Sequence, residues 1–137
     1  MNKSREPEEE EILRVPIALA MVKLLQQLPH GALERYLPGI LLRICNFLKS
    51  RSPDVRNTAR ETLVKIQSTL GPRFFPYILS ELRGSLRRGY QRHVLCYTVF
   101  MLLKHMEGSV RPGDIDVCLT SLQQVQDYAL VLYCDII

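Results

Sequence analysis

Ser-Pro-Asp-Val-Arg-Asn-Thr-Ala-Arg-Glu-Thr-Leu-Val-Lys-Ile, residues 52–66, places apolar side chains at Val55, Ala59, Leu63 and Ile66 and continues to Leu70, in steps of 4, 4, 3 and 4. That spacing is one stripe of an α-helix. Just beyond it, Pro-Arg-Phe-Phe-Pro-Tyr-Ile-Leu-Ser-Glu-Leu (72–82) echoes Glu-Arg-Tyr-Leu-Pro-Gly-Ile-Leu-Leu-Arg-Ile (34–44) at a shift of 38 residues. The shift aligns Arg35 with Arg73, Tyr36 with Phe74, Pro38 with Pro76, Ile40 with Ile78 and Leu41 with Leu79. A helical repeat of that period predicts a solenoid of stacked helix pairs.

Working outward from this core, the chain reads as six helices. The first runs over 12–28 with Ile17, Met21, Leu24, Leu25 and Leu28 inward and Pro16 in its first turn. Pro29, His30 and Gly31 end it. The second covers 32–50, bent or restarted at Pro38, with Leu41, Ile44, Cys45 and Leu48 inward. The third spans 53–70 and closes at Gly71 and Pro72, a usual helix stop. The fourth reaches about Arg88 with Phe75, Ile78, Leu79, Leu82 and Leu86 as its stripe, and Gly89 separates it from the fifth, 90–106. The sixth begins near Asp114, read as a cap, and carries Ile115, Cys118, Leu119, Leu122, Val125, Ala129, Leu132 and Ile136. The expected fold is all-α, a HEAT-like α-solenoid of about three antiparallel helix pairs, with the fifth helix central and no strand.

With 137 residues, 47% of them apolar, the chain has room for one domain. Residues 1–11 read as a flexible acidic lead-in and 12–137 as the repeat segment. The lead-in holds Lys3 and Arg5 against Glu6, Glu8, Glu9, Glu10 and Glu11; without it, 16 basic and 9 acidic residues remain, an excess of +7. Between Arg43 and Arg111, 13 Lys and Arg face only Asp54, Glu61, Glu81 and Glu107, a local excess of +9. A basic middle favours polyanionic partners.

Cys45, Cys96, Cys118 and Cys134 fall in apolar helical stretches with no Cys-x-x-Cys spacing, and read as buried reduced thiols. No basic-then-apolar leader opens the chain, so no secretory route is expected. The longest apolar run, 94–103, is shorter than the ~20 residues that cross a bilayer, and reads instead as a helix buried on most sides. No membrane partner is expected. His30, His93 and His105 share no metal-ligand spacing with each other or with the cysteines. Cys96 has histidines nearby in sequence but lies in the most apolar run, where packing is its expected role. No glycine-rich phosphate loop occurs. The chain is read as a non-enzyme without cofactor, metal or small-molecule substrate.

A solenoid leaves one flank free along the stack, so binding is its default work. The densest candidate is 82–94, Leu-Arg-Gly-Ser-Leu-Arg-Arg-Gly-Tyr-Gln-Arg-His-Val. Arg83 and Arg87 stand four apart, and Arg88 and Arg92 flank a Gly-Tyr turn whose backbone amides could face a phosphate. Guanidinium groups offer paired planar donors to phosphate, and Tyr90 could stack on an unpaired base. The plainer reading is a solvated helix end.

Pro53-Asp54-Val55-Arg56, followed by Ala59 and Leu63, resembles the first helix of a HEAT repeat, in which Asp and Arg near the helix start form polar ladders between repeats. Read without that resemblance, Ser52 or Asp54 caps the helix, Pro53 occupies its first turn and Arg56 is solvated. Gly89-Tyr90-Gln91-Arg92-His93-Val94-Leu95-Cys96-Tyr97-Thr98-Val99, with Glu81-Leu82-Arg83 before it, resembles the very large HEAT-repeat component of the small-subunit processome, a family also called "down-regulated in metastasis". The resemblance covers roughly 41–113 and implies one short arc of a superhelix. It implies a nucleolar assembly factor, without catalysis, that wraps pre-ribosomal RNA and processome proteins during small-subunit maturation. The competing expectation is a protein-binding HEAT or armadillo-like adaptor, such as a transport receptor segment. The chain stops on the apolar Ile136 and Ile137, which reads as a fragment or an altered terminus with self-association through its solenoid ends.

Overall fold

A computed structural model describes residues 14–29 and 31–136. The lead-in, the helix start at Ile12 and the side chains of Leu132, Cys134, Ile136 and Ile137 lie outside the described residues. Those described form α1 (Ile17–Gln26), α2 (Ala32–Leu48), α3 (Pro53–Leu70), α4 (Phe75–Ser85), α5 (Gln91–His105) and α6 (Leu119–Ile136), with 3-10 turns at Pro72–Phe74 and Asp116–Cys118 and no strand. The all-helical, solenoid-like reading holds.

The helices form two layers. α1, α3 and α5 pack side by side; α2 and α4 lie behind them, the Asp116–Cys118 turn continues that second layer, and α6 packs on α5. α3 touches α1, α2 and α5, so the central helix of the front layer is α3 and not α5.

Repeat equivalents carry equivalent burial. Leu37 and Phe75, Ile40 and Ile78, Leu41 and Leu79, Ile44 and Leu82, and Leu48 and Leu86 are all buried, each pair 38 residues apart. Val55, Ala59, Leu63 and Ile66 face the same core. Each full burial of a Leu, Ile or Phe contributes about 1.5–3 kcal/mol, more than any single surface contact, so this pattern fixes the stacking. The two prolines of the repeat play different parts. Pro38 lies inside an unbroken α2, whereas Pro76 falls in the first turn of α4, because Gly71 at φ 90° and the 3-10 turn split off the segment before it.

Three local expectations change. In α1 the buried positions are Val22, preceded by Val15, with Ala18, Leu19 and Leu25 packed on the core; Ile17, Met21, Leu24 and Leu28 are exposed. That stripe corresponds, at a shift of 38, to Val55, Ala59, Thr62 and Ile66, which α3 packs against the pair before it. Among the described residues no pair precedes α1, so the same face is left open. In α5, Val94, Leu95, Thr98, Val99 and Leu102 are buried but Tyr97 and Phe100 are exposed, so this helix is not enclosed. Asp114 does not cap a helix: its carboxylate accepts from the Arg111 amide at 2.7 Å, and α6 starts later, at Leu119. Leu119 itself and Ala129 are exposed.

The α3 start follows the plainer sequence reading. Ser52 Oγ accepts from the Val55 amide at 3.3 Å and Pro53 lies in the first turn. Arg56 is not merely solvated. Its Nη1 donates to the carbonyl oxygens of Ser50 and Arg51, at 2.8 and 3.0 Å, and so ties the link between α2 and α3 to the first turn of α3.

Candidate nucleic-acid interface

α4 ends at Ser85, three residues before the expected Arg88, because Leu86 turns to φ −106°, ψ 70° and drops its side chain into the core. The chain then crosses Arg87, Arg88, Gly89 and Tyr90 and enters α5. Gly89 takes φ 53°, a left-handed value that L side chains resist. This short crossing brings the ends of α4 and α5 beside the Asp116–Cys118 turn.

Between them lies a groove of about 700 Å³. Arg83, Arg87 and Arg92 line it with Ser80 and Ser121, and none of its described lining residues is Asp or Glu. Three guanidinium groups and two hydroxyls converge on one concavity, an arrangement of donors suited to anionic oxygens. The remaining two candidates stand apart. Arg88 is exposed and does not line the groove. Tyr90 is also outside it: its ring is exposed and its hydroxyl donates to the Lys49 carbonyl at 3.2 Å, pinning the crossing to the end of α2.

The arginines are positioned unequally. Arg83 Nη1 donates to Ser121 Oγ at 2.8 Å and Nη2 to Gln124 Oε1, so Arg83 ties α4 to α6 across the groove. Arg92 Nε donates to the Arg87 carbonyl at 3.3 Å, setting the two guanidinium-bearing residues side by side. Three amides around the turn are engaged within the chain. The Arg88 amide donates to Gln91 Oε1 at 3.3 Å, and those of Gln91 and Arg92 donate to the carbonyls of Arg88 and Gly89.

A second polar tie lies on the front layer. Arg60, 7% exposed, donates from Nε to Thr98 Oγ1 at 3.3 Å and from Nη1 to Asn57 Oδ1 at 2.9 Å, with its guanidinium carbon 4.5 Å from the centre of the Tyr97 ring. Burial lowers its pKa from the ordinary arginine value. The polar ladder between repeats is thus built from Arg60 and Arg83 rather than from Asp54 and Arg56. Sequence reasoning passed over Arg60, Ser80, Ser121 and Gln124. The signal was available, since Arg60 to Thr98 and Arg83 to Ser121 each span the repeat period of 38.

The thiols are held in packing roles. Cys96 Sγ donates to the Val125 carbonyl at 3.7 Å and burial pushes its pKa up, the opposite of an activated nucleophile. Burial likewise raises Cys45 and Cys118, and Cys118 Sγ donates to the Ile115 carbonyl at 3.1 Å. Among the described residues no three His, Cys, Asp or Glu side chains group as metal ligands, and no helix is long and apolar enough to cross a membrane.

Residues 4–132 match the family model described as the U3 small nucleolar RNA-associated protein 20 domain. A Schizosaccharomyces pombe protein named U3 small nucleolar RNA-associated protein 20 is 44% identical over 113 residues, 82% of this chain and 4% of that protein. The Saccharomyces cerevisiae protein of the same name is 38% identical over 114 residues, 83% of this chain and 5% of that protein. The chain therefore spans only 4–5% of the length of these curated relatives.

Proposed function

The chain belongs to the U3 small nucleolar RNA-associated protein 20 family, and from that premise we propose that it serves as a non-catalytic scaffold segment in small-subunit ribosome assembly, in the nucleolus, binding pre-ribosomal RNA and processome proteins. The relatives' name states association with a small nucleolar RNA. The observation that supports an RNA contact here is the groove at the α4 to α5 crossing, where Arg83, Arg87 and Arg92 converge and no described lining residue is acidic. Arg87 and Arg92 take phosphate oxygens; Arg83 holds α6 in place beside them; Arg88 adds charge at the rim. Contacts of this kind position a backbone and carry no base code. Tyr90, anchored to Lys49 through its hydroxyl, orders the crossing and keeps an exposed ring with which to stack on an unpaired base.

The test is RNA binding by the 137-residue chain across a salt series. Affinity should fall with salt at a logarithmic slope of roughly 0.7–0.9 per phosphate neutralised. Arg87→Glu with Arg92→Glu should lower affinity for many RNA sequences alike and flatten that slope, with helicity unchanged. Parent-like binding by this variant at low salt would remove the groove from consideration as an RNA contact.

A second reading, a protein-binding adaptor, has its own support in a groove of about 630 Å³ between α1 and α2, lined by Ile17, Met21, Tyr36, Ile40 and Phe47 with Arg14 and Arg43 at its edge. Its contacts would depend only modestly on salt. The same apolar end gives the isolated chain a surface for self-association.

A further inference from the structure

The outward face of α5 carries His93, Tyr97, Phe100 and Lys104, spaced four, three and four residues apart and all exposed. Such spacing stacks side chains along one helical face. Burial normally removes aromatic rings from water, yet Tyr97 is 52% and Phe100 57% exposed. α5 contains no Asp or Glu, and Lys104 gives this face of the helix a positive charge.

Tyr97 is braced from behind. The Arg60 guanidinium lies against its ring, and that guanidinium is itself fixed by Thr98 and Asn57, through bonds of 3.3 and 2.9 Å. Among the described residues no carboxylate bonds to Arg60, so its charge polarises the ring without being neutralised. A ring held on one side has already lost much of its rotational freedom, which lowers the entropic cost of stacking a second flat group on the other. Phe100 follows about 4.5 Å further along the helix axis. Arg92, which lines the arginine groove, precedes His93 in the chain, but consecutive residues of a helix point about 100° apart, so the stripe and the groove are separate surfaces of the same helix.

We propose that this face of α5 is a stacking platform for unpaired RNA bases, with Tyr97 and Phe100 each taking one base, Lys104 meeting the phosphate beyond them and Arg60 acting as the positioning residue for Tyr97. The proposal rests on the reading that the chain binds RNA and adds a division of labour: the groove holds backbone and the stripe holds bases. Duplex RNA keeps its bases stacked on each other and has nothing to offer such a platform. The ligand is therefore single-stranded. Stacking on exposed rings beside Arg60 and Lys104 tolerates any base, so little sequence preference is expected.

The experiment uses the 137-residue chain with two probes, a single-stranded oligouridine of about twelve nucleotides, a length within the usual range of such sites, and an RNA duplex of equal length. Tyr97→Leu combined with Phe100→Leu keeps apolar bulk against Arg60 but removes the rings. Loss of two stacking contacts should weaken single-strand binding at least about tenfold, with duplex binding and the salt slope unchanged. Tyr97→Phe should bind like the parent, and the emission of Tyr97→Trp should be quenched by the single strand. If the double leucine variant binds the single strand like the parent, the platform is overturned and the stripe is a contact for protein. If it loses the single strand while Arg87→Glu with Arg92→Glu keeps parent-like binding, the platform stands and the groove fails. If the parent binds neither probe, both are overturned.

Discussion

Arg60 and Thr98 lie 38 residues apart and meet through a hydrogen bond of 3.3 Å from Nε to Oγ1, in a place where Thr98 is fully buried and Arg60 nearly so. Arg83 and Ser121 repeat the relationship in the other layer at the same separation, 2.8 Å apart. The period visible in the sequence is thus also the reach of the polar ties that join successive helix pairs. Both ties begin at arginine. Its planar fork can hold one repeat's acceptor and a second partner at once, which the single ammonium of lysine does less well.

Thr98→Val keeps the shape of the buried side chain and removes the acceptor. It leaves a guanidinium N–H unpaired in the interior, so it should destabilise the chain by about 1–3 kcal/mol in urea or guanidinium unfolding. Arg60→Met should also destabilise. Made together, the two changes should cost less than their sum, because the second no longer breaks a pair. Strict additivity would mean that the bond contributes nothing to stacking.

Two glycines should respond with opposite signs. Gly71 has φ 90° and ψ 167°, a region close to glycine-only, although a Cβ there would meet no atom within 4 Å. Gly71→Ala should therefore destabilise by about 1–3 kcal/mol through backbone strain alone. Gly39 lies within α2, exposed, with equally open space. Gly39→Ala should stabilise by about 0.5–1 kcal/mol by restricting the unfolded chain and favouring helix. Thermal unfolding of the two variants tests both signs.

The sequence was most legible where burial and period agree. Leu37 to Leu48 and Phe75 to Leu86 repeat the same buried positions, and a helical stripe that packs on both neighbours is written directly into residue spacing. It was least legible where neighbours decide. Ile17, Met21 and Leu24 have the right spacing for a core, but spacing identifies an apolar face without saying whether anything covers it. For the same reason the apolar run of α5 concealed an exposed Tyr97 and Phe100. In the candidate interface, charge density found Arg83, Arg87 and Arg92, while the separation of Arg88 and Tyr90 depended on the Tyr90 bond to Lys49, 41 residues away, which no local pattern encodes.

The thiols impose a pH dependence. Burial first, opposed by the Ser85 side chain and the Lys49 charge and reinforced by the Glu81 charge, holds the Cys45 thiol above its ordinary value of 9.0, and burial raises Cys96 and Cys118 in the same direction. The folded chain therefore keeps these protons where the unfolded chain releases them. Their stabilising contribution is complete below about 9.0 and is lost as pH rises through the raised native values. Denaturation midpoints should be flat in this contribution up to that point and then fall. Cys45→Ala should lower the midpoint overall, because it opens space in the core, and make the alkaline fall shallower. An unchanged alkaline slope would exclude Cys45 as a contributor.

Self-association should run through the α1 end of the solenoid. Ile17, Met21, Leu24 and Leu28 form an exposed apolar stripe, and Ile17 and Met21 also border the groove shared with Tyr36, Ile40 and Phe47. Contiguous apolar surface of this kind is relieved when a second surface covers it. The sedimentation of the 137-residue chain should therefore shift with concentration. Met21→Glu with Leu24→Glu should suppress that shift at little cost to folding, since both side chains are already exposed and make no part of the buried core. The charge should matter more than the bulk: Met21→Leu should associate like the parent. A parent chain that stays monomeric over a wide concentration range, or a glutamate variant that associates equally well, would mean that this stripe does not mediate contact between copies.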